Sequence, residues 1–165
     1  MAFSADTALP RASIFDFDGS LCDVRAALPL MPAPEVRASR DLRSWDPYHE
    51  ATEDCPPIGW VHGLARIEAE MGHAVVVLTA RDARWRDMTA RWLERHPIPH
   101  TELLTRAAGD RRPDAVIKAE ILADLRTRYD IRLAVDDRPS VVRMWKAEGV
   151  PTVTVPGWPA DALVN

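Results

Sequence analysis

Apolar and polar positions follow two rhythms along this chain. Short apolar runs at 12–17, 74–78 and 131–135 have the length and β-branched content of buried strands, and weaker runs at 102–105 and 151–155 predict two more. Between them the apolar residues recur at helical spacing. Ile58, Val61, Leu64, Ala65, Ile67 and Met71 line a helix over 58–71 that Gly72 stops. Trp85, Met88, Trp92 and Leu93 line another over 82–95, ahead of Pro97 and Pro99, and Val116, Ile117, Ile121, Leu122 and Leu125 a third over 114–129. A last helix is predicted over 140–148. Strand and helix alternate, which predicts a parallel sheet with helices on both faces. One segment escapes both rhythms. Residues 23–57 hold Pro29, Pro32, Pro34, Pro47, Pro56 and Pro57; proline withholds ladder donors and helix bonds, so this reads as a long ordered loop with at most short helices.

At 165 residues and 47% hydrophobic content, the chain has the apolar stock of one globular domain over 1–165, with 1–11 and 157–165 as peripheral tails. A net charge of −4 argues against a broad basic surface for nucleic acid and leaves room only for local contacts. Eight arginines against five acids between Arg81 and Arg112 form one positive region, which reads either as a track for a phosphate backbone or as an arginine-laced solvated helix. Cys22 and Cys55 have no metal-type spacing and suggest no disulfide framework, in keeping with a cytoplasmic protein. No signal peptide or membrane span is predicted. The five histidines form no zinc pattern, and His49 is expected at the surface, with an approach to the site through its loop as the alternative. Trp60, Trp85, Trp92 and Trp145 sit at core spacing, whereas Trp45, beside Asp46-Pro47-Tyr48, is the tryptophan suited to touch a substrate.

Candidate chemistry falls at four places. Asp16 ends the first strand and Asp18 lies two positions on, so a period of two aims both carboxylates the same way. Such a pair suits attack on phosphorus by one carboxylate and proton transfer by the other. Gly19 permits a tight turn whose amides can hold phosphate oxygens; an ordinary strand-end turn gives the same pattern. Thr79 and Arg81 follow the second strand and suit a hydroxyl and guanidinium grip on phosphate, or else Thr79 or Asp82 caps the next helix. Lys118 lies one helical turn after Asp114, so both heads share a face. The lysine suits neutralisation of a transferring phosphoryl group, with Asp114 orienting it or an arginine, although a first-turn acid and a solvated lysine need no function. Asp136 and Asp137 end another strand, where adjacent carboxylates suit a hard cation such as Mg2+, or a plain turn. Each place has an ordinary explanation. Their joint order, at strand ends and a helix start that an open parallel sheet gathers at one edge, points to a magnesium-dependent phosphoryl-transfer site with an aspartate nucleophile.

These residues resemble the haloacid dehalogenase phosphatase superfamily, whose motifs are Asp-x-Asp-Gly, a strand-end Thr or Ser, a Lys and a paired acidic motif. From Ile14 to about Val155 the chain is similar to one branch, the 3′-phosphatase domain of bacteriophage polynucleotide kinase. That similarity rests on Pro47-Tyr48, Val77-Leu78-Thr79-Ala80-Arg81, Arg106 with Gly109-Asp110-x-Arg112-x-Asp114-x-x-x-Lys118, and Ala134-Val135-Asp136-Asp137-Arg138 followed by Val141-Val142-x-Met144-Trp145. The resemblance implies a Rossmann-like open sheet without a large cap domain, and removal of a 3′-phosphate at DNA or RNA ends, with a 2′,3′-cyclic phosphate as a second substrate to test. It implies Asp16 as the nucleophile that forms an aspartyl-phosphate and Asp18 as general acid/base. Thr79 and Lys118 would hold the phosphoryl oxygens, with Arg81 and Asp114 as further active-site groups. Mg2+ would be held by Asp16, the main-chain carbonyl of Asp18 and Asp136, with Asp137 in support.

Two departures stand out. Ser20 replaces the family's Thr and keeps a hydroxyl, and Arg25 is the one early candidate for the basic stretch that follows the first motif in the phage member. No Gly-x-x-x-x-Gly-Lys-Ser/Thr phosphate loop occurs in these residues, so a kinase or ligase would act as a separate partner. The alternatives are a small-molecule phosphatase acting on nucleotides or sugar phosphates and, from another class, a non-catalytic subunit of a repair complex. Access favours the polymer: no inserted cap fits between the second motif and Lys118, and the proline-rich segment shades the site without closing it.

Overall fold

The computed structural model describes residues 8–157. β1 (Arg11–Phe15) leads into the proline-rich segment, which forms α1 (Pro34–Ala38), α2 (Asp46–Ala51) and short 3-10 turns, among them Thr52–Asp54. There follow α3 (Gly59–Glu70), β2 (Ala74–Asp82), α4 (Arg86–Arg95), β3 (Glu102–Arg106), α5 (Asp114–Leu125), β4 (Asp130–Asp136), α6 (Pro139–Ala147) and β5 (Thr152–Thr154). The strands form one sheet in the order β3-β2-β1-β4-β5, all parallel, with Phe15 flanked by Val77 and Val135.

Alternation along the strands sorts the core onto two faces. Phe15, Val75, Val77 and Val135 pack with Val61 and Ala65 of α3 and Trp92 and Leu93 of α4. Ile14, Val76, Leu78 and Ala134 pack with Leu122 and Leu125 of α5 and Val141 and Trp145 of α6. The fold is therefore the Rossmann-like open sheet with helices on both faces and, among the described residues, no large cap. No described helix is long and apolar enough to cross a membrane. The tails expected at 1–11 and 157–165 lie, apart from residues 8–11 and 157, outside the described residues.

Four boundaries and four core assignments differ from expectation. β1 stops at Phe15, so Asp16 already belongs to the turn. β2 continues past Leu78 to Asp82, after a register shift that pairs Asp82 with Arg106 of β3. Thr79 and Arg81 thus lie on the strand, and α4 begins only at Arg86. α5 closes at Leu125, with the Arg126 amide on the Leu122 carbonyl at 2.9 Å. Trp60 is 50% exposed, and Ile67 and Met71 are exposed beside it, because α3 turns Val61, Ala65 and Glu68 to the sheet instead. Trp85 sits in the 3-10 turn Ala83–Trp85 before α4, only half-buried and off the helix stripe. Cys22 and Cys55 are buried free thiols.

One buried charge lies away from the strand ends. The Ser13 hydroxyl of β1 donates to Glu68 of α3 at 2.5 Å, and the His73 ring Nδ1 lies 2.8 Å from the same carboxylate oxygen. Burial alone would raise the Glu68 carboxyl, but the hydrogen bonds from Ser13 and His73 hold it below its ordinary 4.5. Its stabilising contribution is therefore present at neutral pH and is lost as pH falls below the usual glutamate range. Glu68→Ala is expected to cost about 1–3 kcal/mol of unfolding free energy at neutral pH, read from urea midpoints, with a smaller difference from wild type at acid pH and unchanged turnover.

Candidate active site

β1 and β4 are neighbours, yet the chain leaves β1 towards β2 and β4 towards β5, on opposite sides. That reversal opens a crevice at the carboxyl ends of the two strands. Asp16 follows β1, Asp136 ends β4 and Asp137 follows it. Lys118 reaches the same place from α5, its Nζ donating to Asp16 Oδ1 at 2.6 Å and to Asp136 Oδ2 at 2.7 Å. The Trp145 indole adds a donor to Asp136 Oδ2 at 3.2 Å. All four charged groups are buried.

Carboxylate oxygens of Asp16, Asp136 and Asp137 lie within 4.8 Å of one another. Burial pushes Asp16 up to about 7 against the pull of Lys118, and the Asp136 charge adds to the rise. Burial, together with the charges of Asp16 and Asp136, likewise raises Asp137. Its Oδ2 is buried without a hydrogen-bond partner among the described residues. Three acids share one ammonium, and an all-oxygen donor set with a carboxylate oxygen left unpaired among the described residues fits a hard divalent cation.

Asp18 faces a different neighbour. Gly19 (φ 77°) turns the chain after it, and the Asp18 carboxylate meets Arg81 in a fork-to-fork pair, Nε to Oδ2 at 2.7 Å and Nη2 to Oδ1 at 2.5 Å. Burial would raise Asp18, but the Arg81 charge and its hydrogen bonds hold it below the usual carboxylate range. Arg81 also donates to Thr52 at 2.6 Å and Thr89 at 3.4 Å, and lies 4.5 Å over the Phe17 ring. The guanidinium is thus engaged with Asp18 rather than turned out towards a phosphate. Thr79 is buried beside it, accepting the Arg81 amide at 3.2 Å, and its oxygen keeps a proton to donate. The cap of the turn after β2 is Asp82, which accepts from Arg84 N at 3.0 Å and Gly109 N at 2.8 Å. The Gly19 and Ser20 amides, expected to be offered to phosphate, close onto Cys22 O and Phe17 O.

Asp114 does not touch Lys118. It bridges two arginines, accepting from Arg106 and Arg138, so of its two expected tasks it performs the orientation of arginine. Arg106 and Arg138 appear in the sequence pattern without a role; a first-turn acid that needs a cation was the available signal. Thr52 carried no signal at all. His49, expected at the surface, packs between Trp45 and Trp85, with ring centroids 6.2 and 5.5 Å away, and burial followed by the Arg81 charge pushes it down to about 3. Trp45 is half-buried in that cluster, edge-on to Tyr48 at 5.6 Å.

The arginine-rich region is largely spent inside the molecule. Arg84 pairs with Asp46, Arg91 with Glu53, and Arg95 donates to the Glu53 carbonyl at 2.9 Å. With the Trp92 indole on Cys55 O at 2.7 Å, these contacts pin the proline-rich segment to α4. Arg25 pairs with Asp23 on an exposed turn.

Residues 10–157 match the family model of the polynucleotide kinase PNKP phosphatase domain. The chain belongs to this family. It is a phosphatase domain of the haloacid dehalogenase-like kind. It is 28% identical over 146 residues to the protein named "Putative bifunctional polynucleotide kinase/RNA ligase" of Autographa californica nuclear polyhedrosis virus, covering 87% of this chain and 19% of the viral protein. A chain of the solved Pnkp1/Rnl/Hen1 complex superposes with a TM-score of 0.74 at 28% identity, over 93% of this chain and 48% of that one. The class C acid phosphatase from Bacillus anthracis with tungstate bound shares the fold, with a TM-score of 0.65 at 18% identity over 92% of this chain and 68% of that one. The domain thus spans about a fifth of the viral relative and about half of the solved chain.

Lys118→Met leaves the buried acids without their counter-cation. In metal-free buffer this variant is expected to lose about 3–5 kcal/mol of unfolding free energy, measured by urea unfolding, with Mg2+ restoring part of the loss and no measurable phosphatase turnover in either buffer.

Proposed function

We propose that the domain is a Mg2+-dependent phosphomonoesterase that removes 3′-phosphates from nucleic-acid ends through a phosphorylated Asp16. The observation that carries the reading is that Asp16 and Asp18, two positions apart, meet opposite environments: the Lys118 and acid cluster on one side, and Arg81 on the other. Asp16 attacks phosphorus in line as the bond from phosphorus to the ester oxygen breaks, and Asp18 delivers a proton to that leaving oxygen. Water then attacks the phosphoryl group, Asp18 takes its proton, and inorganic phosphate leaves with Asp16 restored as a carboxylate. Lys118 and Thr79 hold the non-bridging oxygens. When bound, a cation held by Asp16, Asp136 and the Asp18 carbonyl, with Asp137 in support, supplies positive charge to the phosphoryl group.

The field around Asp18 suits a proton that arrives with the substrate. Without phosphate, Arg81 keeps Asp18 ionised. A phosphate ester brings negative charge beside it, which opposes Arg81 and raises the carboxylate's affinity for a proton.

Nucleic-acid ends as the substrate are supported by the family match and by a viral relative whose name joins a polynucleotide kinase to an RNA ligase. A separate kinase or ligase working on the same ends is the corresponding partner. Asp16→Asn is expected to abolish turnover while leaving a folded protein, and a chelator to silence the wild type until Mg2+ is returned. A 3′-phosphorylated oligonucleotide is expected to exceed a nucleoside 3′-monophosphate in kcat/KM by at least about tenfold; equal values would support a small-molecule phosphatase instead. A 2′,3′-cyclic end in the same assay defines the range of ends accepted.

A further inference from the structure

Arg81 presents a problem of solvation. Its side chain is 1% exposed, so its five donors must find partners inside the protein. Two meet Asp18, and the rest of the support comes from outside the acidic cluster. Thr52, in the turn after α2, accepts from Nη2 at 2.6 Å, and Thr89 of α4 accepts from Nη1 at the longer distance of 3.4 Å. The Thr52 hydroxyl spends its own proton on the His49 carbonyl at 2.6 Å. Its lone pairs are thereby aimed at Arg81, and its acceptor direction is set by the end of α2. Thr52 is fully buried, so no water replaces it.

The shared Nη2 makes this contact matter to chemistry. The same nitrogen that donates to Thr52 donates to Asp18 Oδ1, so the angle of the guanidinium plane, pressed against the Phe17 ring, sets the angle of the Asp18 carboxylate. We infer that Thr52 is a positioning residue for the proton-transfer step, fixing through Arg81 the direction in which Asp18 faces the leaving oxygen; this rests on the Asp18 role proposed above. The proline-rich segment therefore supplies part of the catalytic apparatus in addition to shading the site.

The test uses leaving-group chemistry, which a purely structural role would not move. An aryl phosphate with a good leaving group needs little proton donation, whereas an alkyl phosphate such as a nucleoside 3′-monophosphate needs it strongly. Values of kcat/KM report the first phosphoryl transfer for both. Thr52→Val, which keeps shape and removes the acceptor, is expected to lower kcat/KM by roughly 10–100-fold on the alkyl ester and by less than about threefold on 4-nitrophenyl phosphate. Thr52→Ser is expected to stay within about threefold of wild type on both, and Thr52→Ala, which cannot overpack the site, to follow Thr52→Val. Equal losses on the two esters, no loss on either, or a Thr52→Ser variant as impaired as Thr52→Val would overturn the inference. A wild type that hydrolyses both small esters and ignores oligonucleotides removes the polymer reading and leaves this test intact; a wild type inactive on every ester overturns the Asp18 role and the inference with it.

Discussion

An ammonium group shared by two buried carboxylates holds this site together. Lys118 joins Asp16 and Asp136, and no charge of the set tolerates burial alone. The lysine arrives there because α5 is seated on the sheet by Leu122 and Leu125, and the two acids arrive because β1 and β4 lie side by side at the reversal of the sheet order. Core packing and catalytic geometry are thus one constraint. A shift of α5 by a turn would strand three acids in a space that their desolvation makes hostile.

The chain makes two unlike groups from two identical side chains. Asp16 is buried where other acids also crowd it, and burial first and then the Asp136 charge raise its proton affinity, a tension that a divalent cation would relieve. Asp18, past one residue, points to a guanidinium and stays ionised. The single intervening Phe17 does more than space them. Its ring supports Arg81 on one side and packs edge-on against Trp92 at 4.9 Å on the other, so the guanidinium that holds Asp18 is backed by the core.

The sheet and its helices were legible because burial on both faces forces apolar runs, as in Val75 to Leu78, and because helical spacing is hard to mimic by chance. The acidic positions were legible because their order matches the order of strand ends. Direction was not. Arg81 looked like a phosphate ligand until its partner across 63 positions of sequence was seen to be Asp18, and Asp114 showed a need for a cation without showing which one. Nor does local patterning reveal how a proline-rich stretch folds back, so Thr52 gave no sign of lying near the centre, and His49 gave only its place in that loop. Trp60 misled for the opposite reason: α3 carries more apolar positions than its buried stripe uses.

The clasp between α4 and the proline-rich segment bears on how the domain would meet a charged polymer. Arginines that already neutralise Asp46 and Glu53 are poorly placed to displace the counterions condensed on a nucleic acid, and binding that releases few counterions loses little strength as salt rises. With an overall charge of −4, such a domain would draw its electrostatic hold on a nucleic-acid end from the terminal phosphate in the crevice more than from the backbone behind it. A preference for an oligonucleotide over a mononucleotide would then rest on uncharged contacts to the sugar and base beside the end, and it would survive added salt.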